Sequence, residues 1–120
     1  MAQASAQEQQ HDRDAVRRAL RGDLDAFQRL VERYQQAVYA CAYAVTGNRA
    51  DPADATQETF VRLYRNLEQF DPERPLKPYL MTIAVNSARS QMRQQRRERG
   101  HEREDQVLLA VADPRPLPEQ

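Results

Sequence analysis

Apolar residues recur at steps of three and four between residues 24 and 45, which is the spacing of one face of an α-helix. The positions in this stripe are Leu24, Phe27, Val31, Tyr34, Val38, Cys41 and Val45, widened by Leu30, Ala42 and Tyr43. Asp23 is a good N-cap, and Gly47 is a good stop after Thr46. The pattern predicts one long amphipathic helix between these two residues, with the small thiol of Cys41 on its buried side rather than acting as a reactive group.

A second helix is predicted to begin at Asp51-Pro52, because a capping carboxylate followed by proline in the first turn is a strong start signal. Its apolar positions are Thr56, Phe60, Leu63, Leu67 and Phe70. We expect this helix to continue to Phe70 and to stop at Asp71-Pro72. The following loop, 70–78, holds three prolines and is expected to be stiff.

The last helical pattern is apolar at its start and cationic at its end. Its predicted core positions are Leu76, Leu80, Ile83 and Ser87, with Tyr79 and Ala84 beside them. The arginines of its second half, at i, i+4, i+7 and i+8, form a predicted solvent-facing stripe: Arg89, Arg93, Arg96 and Arg97. Such a helix can join a packed domain to a polyanion.

The two ends of the chain are polar and are predicted to lie outside the folded domain. Residues 1–11 are expected to form a disordered tail, followed by a short helix capped by Asp12 and running to Arg21. Residues 12–99 would form the domain, and residues 100–120 a linker or tail. Strand signals are weak. The fold class predicted is all-α, a compact bundle of three main helices plus a short N-terminal helix.

Composition narrows the function classes. The chain has 120 residues, a formal net charge of zero and 30% charged residues, so only the distribution of charge can indicate a polyanionic partner. One cysteine excludes an internal disulfide and a multi-cysteine zinc site. No apolar run approaches the length of a membrane span, so we expect a soluble, cytoplasmic protein. We also expect no cofactor.

The sequence shows no catalytic constellation, and we do not expect an enzyme. Asp51, Asp54 and Glu58 are accounted for as a cap, a first-turn acid and part of a solvated face. The arginine stripe favours phosphate contact and a solvated face about equally from spacing alone. Asn86 could pair with adenine or cap a polar face, and Tyr79 could stack on a base or, as its position favours, fill the core.

Two motifs in order carry a family resemblance. They are D-A-x-Q-E-x-F at Asp54 to Phe60, and Tyr79-Leu80-x-x-Ile83-Ala84-x-Asn86. With the surrounding sequence, over residues 12–98, the chain resembles region 2 of the extracytoplasmic-function (ECF) group of sigma-70 transcription initiation factors. The resemblance implies an all-helical domain that binds core RNA polymerase and recognises and melts the promoter −10 element.

The resemblance also implies two sets of site residues. The helix after Asp51 would dock on the clamp helices of the largest polymerase subunit through Asp54, Gln57, Glu58, Arg62 and Arg65. The proline-rich loop would capture a flipped base of the non-template strand, and the last helix would meet the −10 DNA. The implied DNA-binding residues are Phe70, Asp71, Arg74, Lys77, Tyr79, Asn86, Arg89, Arg93, Arg96 and Arg97.

The chain departs from the family pattern in three places. Tyr79 stands where the family usually has tryptophan, and the loop is unusually rich in proline. The chain also ends before the domain that reads the −35 element, so full promoter recognition is not expected from it. The alternative is a protein-interaction module bound by an anti-sigma factor or another regulator, with DNA binding latent or lost; the apolar residues within 107–111 favour it.

Overall fold

Four α-helices follow one another in the computed structural model, which describes residues 6–98. They are α1 (Ala6–Leu20), α2 (Leu24–Thr46), α3 (Pro52–Arg65) and α4 (Leu76–Glu98), with a 3-10 turn at Leu67–Gln69. No strand occurs within these residues. The predicted all-α fold, three main helices with a further helix at the N-terminal side, is confirmed. None of the described helices is long and apolar enough to cross a lipid bilayer.

The predicted boundaries of α2 and the start of α3 are confirmed by their caps. The carboxylate of Asp23 accepts a hydrogen bond from the Ala26 N–H at 3.2 Å, and Asp51 accepts one from the Ala53 N–H at 2.9 Å. Gly47 ends α2 with a φ of 57°, a left-handed value that suits glycine, and its N–H donates to the Tyr43 carbonyl at 2.7 Å.

The predicted start of the first helix was wrong. Helix α1 begins at Ala6, so the expected disordered tail is incorrect for residues 6–11, and residues 1–5 lie outside the described part. Asp12 does not cap the helix but lies within it, only 5% exposed. Its burial against α2 explains why a residue type typical of caps is found inside a helix.

The predicted end of α3 was also wrong, because the helix stops at Arg65 instead of continuing to Phe70. Asn66 caps the end of the helix: its backbone N–H donates to the Arg62 carbonyl at 3.0 Å, and its side-chain amide donates to the same carbonyl at 2.9 Å. A 3-10 turn follows, and it still buries Leu67 and Phe70 as predicted.

The buried face of α2 is displaced from the predicted stripe. It runs at four-residue steps through Ala26, Leu30, Tyr34, Val38, Ala42 and Thr46. Leu24 is 62% exposed and Tyr43 50% exposed, contrary to expectation, and most other members of the predicted stripe lie at the edge of the core. A line with four-residue spacing winds slowly around a helix, and α2 packs against α1, α3 and α4 along its length. Cys41 packs at the core's edge, where burial raises the pKa of its thiol.

The core has two parts. The larger one joins apolar side chains of α1, α2, α3, α4 and the 3-10 turn, with Leu30, Leu63, Leu80 and Ile83 among its most buried members. The smaller one consists of Ala42, Ala55 and Ala88, each 0% exposed. These three alanines lie where α2, α3 and α4 meet, and their small side chains allow the three backbones to approach closely.

A buried polar contact joins α1 to α2. The Tyr34 hydroxyl donates a hydrogen bond to Oδ2 of Asp12, and Nε of Arg33 lies 3.4 Å from Oδ1. Burial raises the pKa of the Asp12 carboxyl, and the hydrogen bond from Tyr34 partly opposes that rise. Burial, together with this bond, also raises the pKa of Tyr34. An acid in this position needs its donor, because an unpaired buried carboxylate is costly.

We therefore predict that Tyr34→Phe lowers the free energy of unfolding by about 1–3 kcal/mol at neutral pH. Without its donor, Asp12 should have a still higher pKa in the folded state than in the unfolded one. Stability then falls as the pH rises between these two values, so the loss should be larger at neutral than at mildly acidic pH.

Urea unfolding of both chains at the two pH values measures this difference. Tyr43→Phe is the matched control, because this tyrosine is 50% exposed, and it should change stability little. An equal effect of Tyr34→Phe at both pH values would show that the hydroxyl does not support a charged Asp12.

Candidate functional site

An apolar groove runs between α2 and α3 on the outside of the bundle. Its main part has a volume of about 520 Å³, and its apolar lining is Phe27, Val31, Phe60, Val61 and Tyr64. The rings of Phe27 and Tyr64 meet edge to face, with centroids 5.1 Å apart, at one end of it. A neighbouring depression of about 330 Å³ shares Gln35, Ala53 and Thr56 with it and extends it to Tyr39. We call these two parts together the α2–α3 groove.

The α2–α3 groove is long enough to receive several turns of a helix. On α2 it extends from Phe27 to Tyr39, roughly 18 Å at the rise of an α-helix. Tyr64 is 52% exposed and Val61 37% exposed, although both are large and apolar. An exposed apolar surface of this kind indicates a binding site for another macromolecule.

The predicted polymerase-binding residues divide between two sides of α3. Gln57 and Arg65 line the α2–α3 groove, and Asp54 is exposed in the first turn. Glu58 and Arg62 instead form an ion pair with each other at 3.0 Å, and Arg62 also turns towards Ser90 of α4. Gln57 and Arg65 thus line the groove, while Glu58 and Arg62 lie on the side of α3 that faces Ser90 of α4.

Sequence reasoning missed the apolar wall of this groove. Val61 and Tyr64 are one helical turn apart and lie off the core stripe of α3, and this was a readable sign of a second apolar face. Phe27 and Val31 were assigned wholly to the core, whereas both are only partly buried.

The proline-rich loop is pinned at both ends by buried residues. Phe70 is 6% exposed and packs on Tyr79, with ring centroids 4.6 Å apart, and Leu76 is 2% exposed. Asp71 accepts a hydrogen bond from the Glu73 N–H at 3.0 Å. Between these ends Asp71 and Arg74 are exposed, as is Lys77 just beyond them.

Two of the residues predicted to contact DNA are buried in this structure. Phe70 lies in the core cluster, and Asn86 is 8% exposed on the packed side of α4. As placed, their side chains support the surface rather than present themselves to a ligand. Tyr79 is partly buried and packs on that cluster, as its position on the apolar side favoured, and one face of its ring is taken by Phe70.

The arginine stripe of α4 is more covered than predicted. Arg89, Arg93 and Arg96 are partly buried, and Arg97 is exposed. Arg93 donates to the Ser90 hydroxyl at 3.3 Å, and Arg62 of α3 lies 3.5 Å from the same oxygen. The two predicted sets of site residues therefore meet at Ser90. Among residues 6–98 there is no group of histidine, cysteine and acidic side chains that could hold a metal ion.

Comparison with known proteins decides the family. The sigma-70 region 2 family matches residues 30–98, which include all of α3 and α4 and the lining of the α2–α3 groove except Phe27. The chain belongs to this family. The match begins within α2, so α1 precedes it.

Similar curated proteins place this sigma-70 region 2 domain in the ECF group, as the two motifs predicted. The chain is 35% identical to the ECF sigma factor SigW of Bacillus subtilis over 59% of its own length and 38% of that protein. It is 38% identical to the ECF sigma-E factor of Haemophilus influenzae over 75% of its own length and 47% of that protein. It is 34% identical to the sigma factor CnrH of Cupriavidus metallidurans over 91% of its own length and 60% of that protein. The chain thus spans less than two thirds of each of these relatives. No solved structure gives a significant match.

Burial of Phe70 yields a test of its reassignment. We predict that Phe70→Ala lowers the free energy of unfolding by about 2–4 kcal/mol, because it removes a large buried ring from the core and from Tyr79. Guanidinium unfolding measures the loss, with Tyr43→Ala as the exposed control. If Phe70→Ala is as harmless as the control, the Phe70 ring does not contribute to the core.

Proposed function

We propose that this sigma-70 region 2 domain binds core RNA polymerase through the α2–α3 groove and binds the melted promoter −10 element through loop 70–75 and α4. The observation that carries the proposal is the separation of two unlike surfaces on one rigid bundle. One surface is an apolar groove between α2 and α3, and the other is a cationic helix end. The similar proteins are named as RNA polymerase sigma factors, which supports the proposed binding to polymerase and promoter DNA.

The groove suits a helical partner. It is mainly apolar and is bordered by polar side chains of α3, which is the arrangement that receives an amphipathic helix. The family resemblance supplies the occupant, the clamp helices of the largest polymerase subunit. Tyr64 and Val61 would provide the buried apolar contact, and Gln57 and Arg65 would provide polar contacts at the border.

The cationic end of α4 suits nucleic acid. Helix α4 contains Lys77 and four arginines but one acid, Glu98 in its last turn. Because its first half is buried, the arginines are held at fixed positions relative to the core. Contacts between arginines and phosphates release counterions and make binding depend strongly on salt. Arg74 and Lys77 at the exposed loop would continue this contact towards the unpaired bases.

The domain acts in this proposal as a binding module rather than an enzyme, in the cytoplasm where polymerase and promoter DNA meet. The exposed α2–α3 groove also favours the second candidate, a module covered by an anti-sigma factor or another regulator. A regulator seated there would compete with polymerase without touching α4. The apolar residues within 107–111 that first suggested this reading lie outside the described residues.

The polymerase contact gives the first functional prediction. Tyr64→Ser should weaken binding of the 120-residue chain to a fragment carrying the clamp helices by roughly tenfold or more, because it removes a central aromatic contact. Calorimetry measures the affinity. Tyr43→Ser is the matched control, since Tyr43 has almost the same exposure, 50% against 52%, and lies on neither part of the groove.

Equal affinity of the Tyr64→Ser and Tyr43→Ser variants would contradict docking in the groove. A wild-type chain that captures a regulator but does not bind the clamp fragment would favour the second candidate.

The DNA contact gives another prediction. Replacing Arg93 and Arg96 by glutamine should reduce affinity for a single-stranded −10-like oligonucleotide and should make the slope of log affinity against log salt about 1.4 shallower, at roughly 0.7 per lost phosphate contact. Fluorescence anisotropy at several salt concentrations measures both. Arg18→Gln with Arg29→Gln is the control, because these residues line a pocket to which α4 contributes nothing. An unchanged slope in the Arg93/Arg96 variant would place the DNA elsewhere.

A further inference from the structure

We propose that α1 positions the DNA-binding loop, and that Arg13 and Arg17 do so through Glu73. The inference rests on the proposed function of loop 70–75, and it adds a role for a helix that precedes the matched family region. Arg13 and Arg17 are positioning residues in this proposal, because they act on the loop and not on DNA.

The contacts join two distant parts of the chain. Arg17 donates to Oε2 of Glu73, and Nε of Arg13 lies 3.5 Å from Oε1. Each oxygen of the Glu73 carboxylate therefore has its own arginine. The two arginines are four residues apart, so they lie on the same face of α1 and reach the loop together.

Helix α1 is packed against the bundle and can hold the loop in place. Its inner face carries Val16, 0% exposed, and Asp12, which is bonded to Tyr34 of α2. The loop by itself has little to fix its middle. Between the buried Phe70 and Leu76, the other polar contacts of the loop that we describe are local ones around Asp71. Glu73 is thus the point at which α1 fixes the centre of loop 70–75.

The charges explain how an acid can sit in a DNA-binding loop. A lone carboxylate beside a phosphate chain would repel it, whereas Glu73 with two arginines forms a group of net charge +1. The residue can therefore anchor the loop without weakening the attraction for DNA. The Glu73 side chain is 58% exposed, so each pair is weak on its own and the expected effect is a few-fold change rather than a loss of binding.

Direct contact of Arg13 and Arg17 with phosphate is the competing explanation, and a double-mutant cycle separates the two. The Arg13→Gln/Arg17→Gln pair is made in the wild-type chain and in the Glu73→Gln background. Anisotropy at one fixed salt concentration gives the affinity for four single-stranded −10-like oligonucleotides that differ only in the base expected to enter the loop.

If the arginines act through Glu73, the pair should lower affinity about three- to tenfold when Glu73 is present and less than twofold in the Glu73→Gln background. Discrimination among the four oligonucleotides should also weaken, to a similar extent in the Arg13→Gln/Arg17→Gln chain and in the Glu73→Gln chain. Arg18→Gln with Arg29→Gln makes the same change of charge and should leave discrimination unchanged. Equal losses in the two backgrounds, or no loss in either, would overturn the proposal.

Hydrogen exchange at the amides of residues 71, 73 and 74 measures the same anchoring without DNA. Exchange should become several-fold faster in the Arg13→Gln/Arg17→Gln chain, while the melting temperature stays close to that of the wild type. Unchanged exchange would overturn this inference alone. A wild-type chain that binds none of the oligonucleotides would instead overturn the proposed DNA function, together with the DNA-binding part of this inference.

Discussion

Burial of the first half of α4 is the constraint on which the rest of the structure depends. Leu80, Ile83, Ala84, Ser87 and Ala88 are all 0% exposed and are surrounded by α2 and α3. This packing fixes the axis of α4, and therefore the place where its arginines leave the bundle. It also holds α3 against α2 so that a groove remains between their outer faces. One buried face thus determines both proposed binding surfaces, and loosening it would disturb the two together.

Most of the arginines in the second half of α4 are partly buried rather than fully exposed to solvent. Ser90 accepts contacts from Arg62 and Arg93, so side chains of α3 and α4 converge where the apolar core ends. Glu58 pairs with Arg62 on the same side of α3. Arginine stems cover the end of the core while their charged groups remain near solvent, which explains the partial burial of Arg89, Arg93 and Arg96.

Much of the fold could be predicted from the sequence, because helix periodicity and end signals are local. Asp23, Gly47 and Asp51-Pro52 marked their helix boundaries correctly. The errors came from tertiary contacts that no local pattern encodes: Asp12 is buried by its bond to Tyr34, and the apolar stripe of α2 shifts because three different helices pack along it.

The candidate site was less predictable than the fold. The family resemblance marked Gln57 and Arg65, but the groove beside them exists only after α2 and α3 are brought together. The spacing of apolar residues predicted the burial of Phe70, whereas the burial of Asn86 could not be read from its spacing.

The alanine contact among Ala42, Ala55 and Ala88 has a consequence for how such a domain can diverge. The three alanines at this crossing are fully buried, so a larger residue there would have to displace α3 relative to α4. In the function proposed here, that displacement would alter the spacing between the α2–α3 groove and the cationic end of α4. Three small residues that line neither proposed surface would therefore set the distance between the two surfaces.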